Sequence, residues 1–107
     1  MSFDELEIIR NVELPNEALE NTRNWILLGC EIGQRGGDLL DITKDNIRYK
    51  DGGLYLDLIQ QKTKKNVTIR IIDPYIIDIV ENKLPYKIPN QRFNVLFKEV
   101  CKIAKID

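Results

Sequence analysis

Apolar positions along this chain change their spacing twice, and the changes mark out its elements. Near the end, Phe93, Leu96, Phe97, Val100 and Ala104 recur at helical intervals, one stripe of an amphipathic helix that Asn90 would cap. Earlier, Trp25-Ile26-Leu27-Leu28-Gly29-Cys30 is apolar on nearly all sides, so a helix from Asn16 to Ile32 is predicted to run through the middle of a core. Gly33 is its natural stop. Leu14-Pro15-Asn16 separates it from an opening helix, Phe3 to Val12, that Ser2 and Glu5 begin as a capping box. Leu39 to Ile42 suggests a further short helix.

In the middle the period falls to two. Asn46 to Lys50, Leu54 to Gln60 and Asn66 to Ile72 read as strands, with Asp51-Gly52-Gly53 turning the first into the second. Gln61 to Lys65 turns the second into the third, giving an antiparallel meander. Leu54, Leu56 and Leu58 would share one face, continued by Val67, Ile69 and Ile71. Asp73-Pro74 is an N-cap with proline at the first helical position, and that helix would reach Asn82 or Lys83. The fold class is therefore α+β: helices, a three-stranded sheet, then helices. No repeat or linker interrupts the 107 residues, so they are read as one unit, which at this size buries roughly two-thirds of its unfolded surface.

Composition narrows the chemistry. The chain has no histidine, which excludes a Ser-His-Asp triad, a Cys-His pair or an imidazole base built from these residues alone. Its two cysteines, Cys30 and Cys101, lack metal-ligand spacing and read as small buried hydrophobes of a reducing, cytoplasmic protein. Neither a signal pattern nor an apolar run of membrane length is present, so no membrane partner is expected.

The net charge of −1 hides a polarity. Residues 1–31 carry Asp4, Glu5, Glu7, Glu13, Glu17, Glu20 and Glu31 against Arg10 and Arg23. From Leu58 to Ile72 there is no acid, while Lys62, Lys64, Lys65 and Arg70 fall together. Such a field can hold phosphate even on an acidic protein, although a solvated lysine-rich turn gives the same pattern.

One constellation could carry chemistry. Arg35 follows the buried helix and is flanked by glycines, so its guanidinium can be presented rather than packed. Lys62 sits in a hairpin turn. Together they are a bidentate fork and a proton-carrying ammonium, the cation types of phosphoryl transfer. Taken singly, Arg35 reads first as a surface arginine pairing with Asp38 or a carbonyl, and Lys62 as a solvated turn lysine.

With these residues the chain resembles the catalytic domain of the tyrosine recombinases, the phage-integrase family, and in particular the integrases of Bacteroides-type mobile elements. Gly33-Gln34-Arg35-Gly36-Gly37-Asp38-Leu39 is similar to the T-G-x-R-x-x-[DE]-L block, with Ile32 in place of threonine and Gln34 in place of leucine. Gln60-Gln61-Lys62-Thr63 is similar to the Q-x-K-T of the hairpin between the second and third strands. Thr68 to Ile72 resembles the strand that follows, with Ile71 replacing proline. Leu84-Pro85 and Asn90-Gln91-Arg92-Phe93-Asn94 resemble the L-P and N-Q-x-x-N segments, and Ser2 to Leu6 the family's opening.

The resemblance implies a DNA strand transferase. Arg35 would contact non-bridging oxygens of the scissile phosphate, Lys62 would protonate the leaving 5′-oxygen, and Asp38 would brace the arginine region. Lys64, Lys65 and Arg70 are expected to hold double-stranded DNA by its backbone. A 3′-phosphotyrosyl intermediate conserves the bond energy, so neither a metal nor any other cofactor is expected, and subunits would self-associate on DNA. The family's His-x-x-Arg and nucleophilic tyrosine have no counterpart in these residues, so the chain reads as the N-terminal part of such a domain, inactive alone. Tyr49, Tyr55, Tyr75 and Tyr86 do not fall where that tyrosine lies. The alternative is a non-catalytic α+β module that binds DNA or protein.

Overall fold

The structure, a computed structural model, describes residues 3–34, 37–59 and 64–105. Helix α1 spans Phe3–Asn11 and α2 spans Glu17–Ile32, with Asn16 as the N-cap whose side chain accepts from the Leu19 N–H. Gly33 ends α2 in the left-handed region (φ 71°), a conformation that costs an L side chain and that glycine adopts freely. A four-residue helix α3, Gly37–Leu40, follows, and a 3-10 turn at Lys44–Asn46 leads into the sheet.

Three strands, β1 (Ile47–Lys50), β2 (Gly53–Ile59) and β3 (Asn66–Ile71), form an antiparallel meander in the order β1-β2-β3. The β1–β2 loop is the two residues Asp51 and Gly52, both with positive φ (52° and 78°), the primed turn whose twist matches a hairpin. Gly53 is therefore not part of the turn but the first residue of β2, opposite Lys50. That register pairs Leu54 with Ile71, Leu56 with Ile69 and Leu58 with Val67, which puts the expected apolar face together. Helix α4, Pro74–Asn82, starts on Asp73, whose carboxylate accepts from Tyr75 N–H. Helix α5, Asn90–Ile103, closes the molecule.

Helix α2 is the hub and touches α1, α3, α4, α5 and β3. Trp25 and Leu28 are fully buried on it, as is Val100 of α5 and Leu56 of β2. Two polar groups of α2 lie inside and find partners more than 60 residues away. Trp25 Nε1 donates to the Tyr86 carbonyl (2.8 Å). The Asn21 amide donates to the same oxygen (3.1 Å) and accepts from Tyr86 N–H (2.8 Å). The Pro85–Pro89 segment is thereby fixed to the core through backbone, leaving the Tyr86 ring exposed.

Several expectations are corrected. Cys30 is exposed and Cys101 half-buried, not buried. An apolar run of six residues wraps more than a full turn, and α2 turns its Cys30 side away from its neighbours. Asn90 is the first helical residue of α5 and not its cap. Pro89 holds the cap position with no side-chain bond, its carbonyl accepting from Phe93 N–H (2.9 Å). Asn46 belongs to the 3-10 turn rather than to β1, because its amide is used by Thr43 and the Asp57 carbonyl. The short third helix starts earlier than expected, at Gly37, and ends at Leu40. The Ser2 half of the opening capping box lies outside the described residues.

Candidate functional site

The two residues that the sequence singles out most sharply, Arg35 and Lys62, lie outside the described residues, as do their neighbours Gly36 and Gln60, Gln61 and Thr63. What the structure describes is the frame on either side of each. Before Arg35, the N–H groups of Gly33 and Gln34 both reach the Gly29 carbonyl, the latter at 3.1 Å, a left-handed close that fixes where the chain leaves α2. After it, Leu39 of α3 is buried directly on α2 at Gly29. A Cβ at Gly29 would stand 2.8 Å from Leu39 Cδ2 and 2.9 Å from the Gln34 carbonyl oxygen. The absence of a side chain there is what lets α3 dock and brings both ends of the Arg35 segment onto one stretch of α2. Asp38 lies half-buried in the first turn of α3.

Around Lys62, the last described pair of the hairpin is Ile59 with Asn66. Antiparallel order puts the start of β1 and the end of β2 at the same end of the sheet. The 3-10 turn that leads from α3 into β1 therefore sits beside the end of β2, the strand that precedes Lys62 in sequence. A bond from Asn46 Nδ2 to the Asp57 carbonyl (2.7 Å) ties the two.

The basic stretch divides. Lys64, itself in the left-handed region (φ 56°), and Lys65 are exposed at the turn end of β3. Arg70 lies five residues further, about 17 Å along an extended strand, near the opposite end. It is exposed on the solvent face of the sheet, its guanidinium carbon 6.0 Å from the centre of the Tyr55 ring. Sequence reading passed over what register then supplies: Arg48, Tyr55 and Arg70 are direct cross-strand partners and form one row across the three strands. The next row centres on Asp57, which takes Arg48 Nε (2.5 Å) and the Thr68 hydroxyl (2.6 Å). The exact length of the turn, two residues rather than three, was the missing signal, since register decides which side chains stand abreast.

Tyr49 is exposed and donates to Glu81 (3.0 Å), which holds its phenol above the ordinary range, because the bond to the carboxylate favours the protonated form. Tyr75 is packed beneath the Arg10 guanidinium (4.5 Å), which also bonds Asp73 (3.2 Å). Among the described residues no three His, Cys, Asp or Glu side chains gather as a metal site would need, and no helix is long and apolar enough to cross a membrane. No protein-family model, curated protein or solved structure matches this chain.

Proposed function

We propose that this chain is the leading part of a tyrosine recombinase catalytic domain, with Arg35 and Lys62 as two of its phosphate-contacting cations. The observation that supports the reading is the order of elements. A buried helix ends in a left-handed glycine just before Gln34-Arg35, and an antiparallel pair of strands follows, with Gln61-Lys62-Thr63 in the sequence between them. Each motif thus falls at a connection between packed elements, where a long cationic side chain can be offered to a ligand.

In this reading the arginine fork takes two non-bridging oxygens and offsets the charge that grows as the phosphate becomes five-coordinate. The lysine gives a proton to the departing 5′-oxygen. Asp38 braces the arginine segment, and Lys64, Lys65 and Arg70 hold the duplex backbone. The family's nucleophilic tyrosine and His-x-x-Arg have no counterpart among these residues.

The test is a suicide DNA substrate, nicked so that strand cleavage traps the covalent intermediate. The chain extended through its downstream reading frame should give a protein–DNA adduct on a denaturing gel. Changing Arg35→Ala or Lys62→Ala should cut adduct formation at least a hundredfold, and the 107 residues alone should give none. An adduct from the 107 residues alone, lost on changing one of Tyr49, Tyr55, Tyr75 or Tyr86 to Phe, would overturn the proposal. So would an extended chain indifferent to Arg35.

A further inference from the structure

We propose that the β1–β2 turn is a self-modifying site, at which Asp51 cyclises onto the Gly52 nitrogen and reopens as isoaspartate. The inference rests on the turn and not on the recombinase reading. Sequence singles out this pair first. Asp51-Gly52 is the one Asp-Gly in the chain, and no Asn-Gly occurs. Wherever another aspartate or asparagine is followed by a residue, that residue bears a side chain that crowds the attacking nitrogen. The structure then leaves the pair open. Both residues are exposed, and a Cβ on Gly52 would meet no heavy atom within 4 Å. Among the described residues the Asp51 carboxylate has no hydrogen bond or ion pair. By contrast Asp57, Asp73 and Asp78 accept from the Thr68 hydroxyl, the Tyr75 N–H and the Asn82 amide. The Gly52 N–H finds no backbone carbonyl among the described residues, so no ladder bond must break before it attacks.

The chemistry needs nothing but water. The Gly52 nitrogen bonds to Asp51 Cγ, and the carboxyl hydroxyl leaves as water with the amide proton, closing a succinimide ring. Water then adds to either ring carbonyl and breaks the bond between that carbon and the nitrogen. Opening at Cγ returns aspartate. Opening at the former main-chain carbonyl leaves that carbon as a free carboxylate and routes the chain through Cβ and Cγ. Charge and mass are unchanged, but the main chain has gained a carbon. The turn has no room for it. A two-residue primed turn depends on both φ values, here 52° and 78°, to set Lys50 opposite Gly53. Little else holds β1, a four-residue edge strand whose Arg48, Tyr49 and Lys50 are all exposed. Isoaspartate at position 51 therefore loosens β1, and with it the bond from Tyr49 to Glu81.

Ageing the folded chain in heavy-oxygen water at neutral pH, followed by peptide mapping, tests it. The peptide that carries Asp51 should split into two chromatographic forms. The new form should hold one heavy oxygen and accept a methyl group from an isoaspartyl carboxyl methyltransferase. Asp51→Glu, whose longer side chain does not close a succinimide, should lose that form entirely. Asp51→Asn, which keeps the turn and expels ammonia in place of water, should give it sooner. Far-UV circular dichroism confirms that each variant is folded. In the aged protein, separated from the fresh, the Tyr49 phenol should titrate earlier. A folded chain that stays intact at Asp51 while the free peptide 48–54 converts would overturn the site. Conversion that leaves the Tyr49 titration unchanged would overturn the loosening of β1.

Discussion

Leu39 fills the space that a side chain on Gly29 would need, its Cδ2 lying 2.8 Å from where that Cβ would stand. Two effects oppose each other when alanine is placed there. Removing a glycine from a helix interior gains about 1 kcal/mol. The leucine tip can swing aside, but the Gln34 carbonyl at 2.9 Å is backbone and cannot move without unwinding the cap. Overpacking of that kind costs about 1–3 kcal/mol. Gly29→Ala should therefore destabilise by about 1 kcal/mol net. Adding Leu39→Ala should not restore the urea midpoint, because the carbonyl clash stays.

The clasp between Asn21 and Tyr86 should show as a large cost for a small change. Asn21→Ala removes two hydrogen bonds and leaves a part-buried N–H without its acceptor, worth about 2 kcal/mol. The melting temperature should drop by about 10 °C. Asn24→Ala, three residues along the same helix, should shift stability by less than about 0.5 kcal/mol and serves as the control.

Tyr49 gives a pH dependence with a definite sign. Its phenol donates to Glu81, so its ionisation is raised in the folded chain above the ordinary value of about 10. The tie it makes between β1 and α4 is complete below that ordinary value and is lost as the pH climbs through the raised one. A spectrophotometric titration of tyrosinate at 295 nm should show the Tyr49 phenol ionising late. Glu81→Gln should bring it earlier, and Tyr49→Phe should delete it.

Exposure and reactivity should part company at the cysteines. Burial of part of each side chain pushes both thiols up from their usual range, and the Glu5 carboxylate adds to the effect at Cys101. The thiolate is the reactive form, so Ellman's reagent should label Cys30 slowly at neutral pH although it lies on the surface. Rates should climb steeply above about pH 9. Glu5→Gln should speed labelling of Cys101 and leave Cys30 unchanged.

Duplex DNA binding by these 107 residues should be weak and strongly salt-dependent. Lys62, Lys64, Lys65 and Arg70 can neutralise about four phosphates, which sets the slope of log K against log salt no steeper than about −4. Filter binding across a range of potassium chloride concentrations measures it. Lys64→Ala should flatten the slope by about one, and a slope near zero with tight binding would contradict backbone contact.

Much of the fold was legible because local signals agreed with the tertiary outcome. Asn16, Gly33 and Asp73 each act where their side chain, or its absence, is locally required, and no distant contact overrides them. The leucines of β2 and the valine and isoleucines of β3 alternate cleanly, so their pairing follows from any turn that keeps the pleat. What stayed illegible depended on geometry that composition does not encode. Cys30 is apolar by type, yet the rotation of α2 about its axis, set by five neighbours, turns it outward. Asn90 has the chemistry of a cap, but the fixed φ of Pro89 makes the helix begin one residue earlier in its hydrogen bonding. The row of Arg48, Tyr55 and Arg70 needs the register, and the register needs a turn length that Asp51-Gly52-Gly53 leaves ambiguous by one residue.

The bonds that Trp25 and Asn21 make to Tyr86 also set a timetable for folding during synthesis. Their groups leave the ribosome 61 and 65 residues ahead of the backbone they bind. Until that segment arrives, the indole N–H and the amide can be satisfied only by water, and water cannot remain on them once α2 is packed. The longest helix of the protein must therefore wait, wet on one side, while the whole meander is made. The hairpins need only neighbours in sequence and can pair first. The arrival of Tyr86, followed by α5, is the moment at which water leaves α2 and the nascent chain acquires its core.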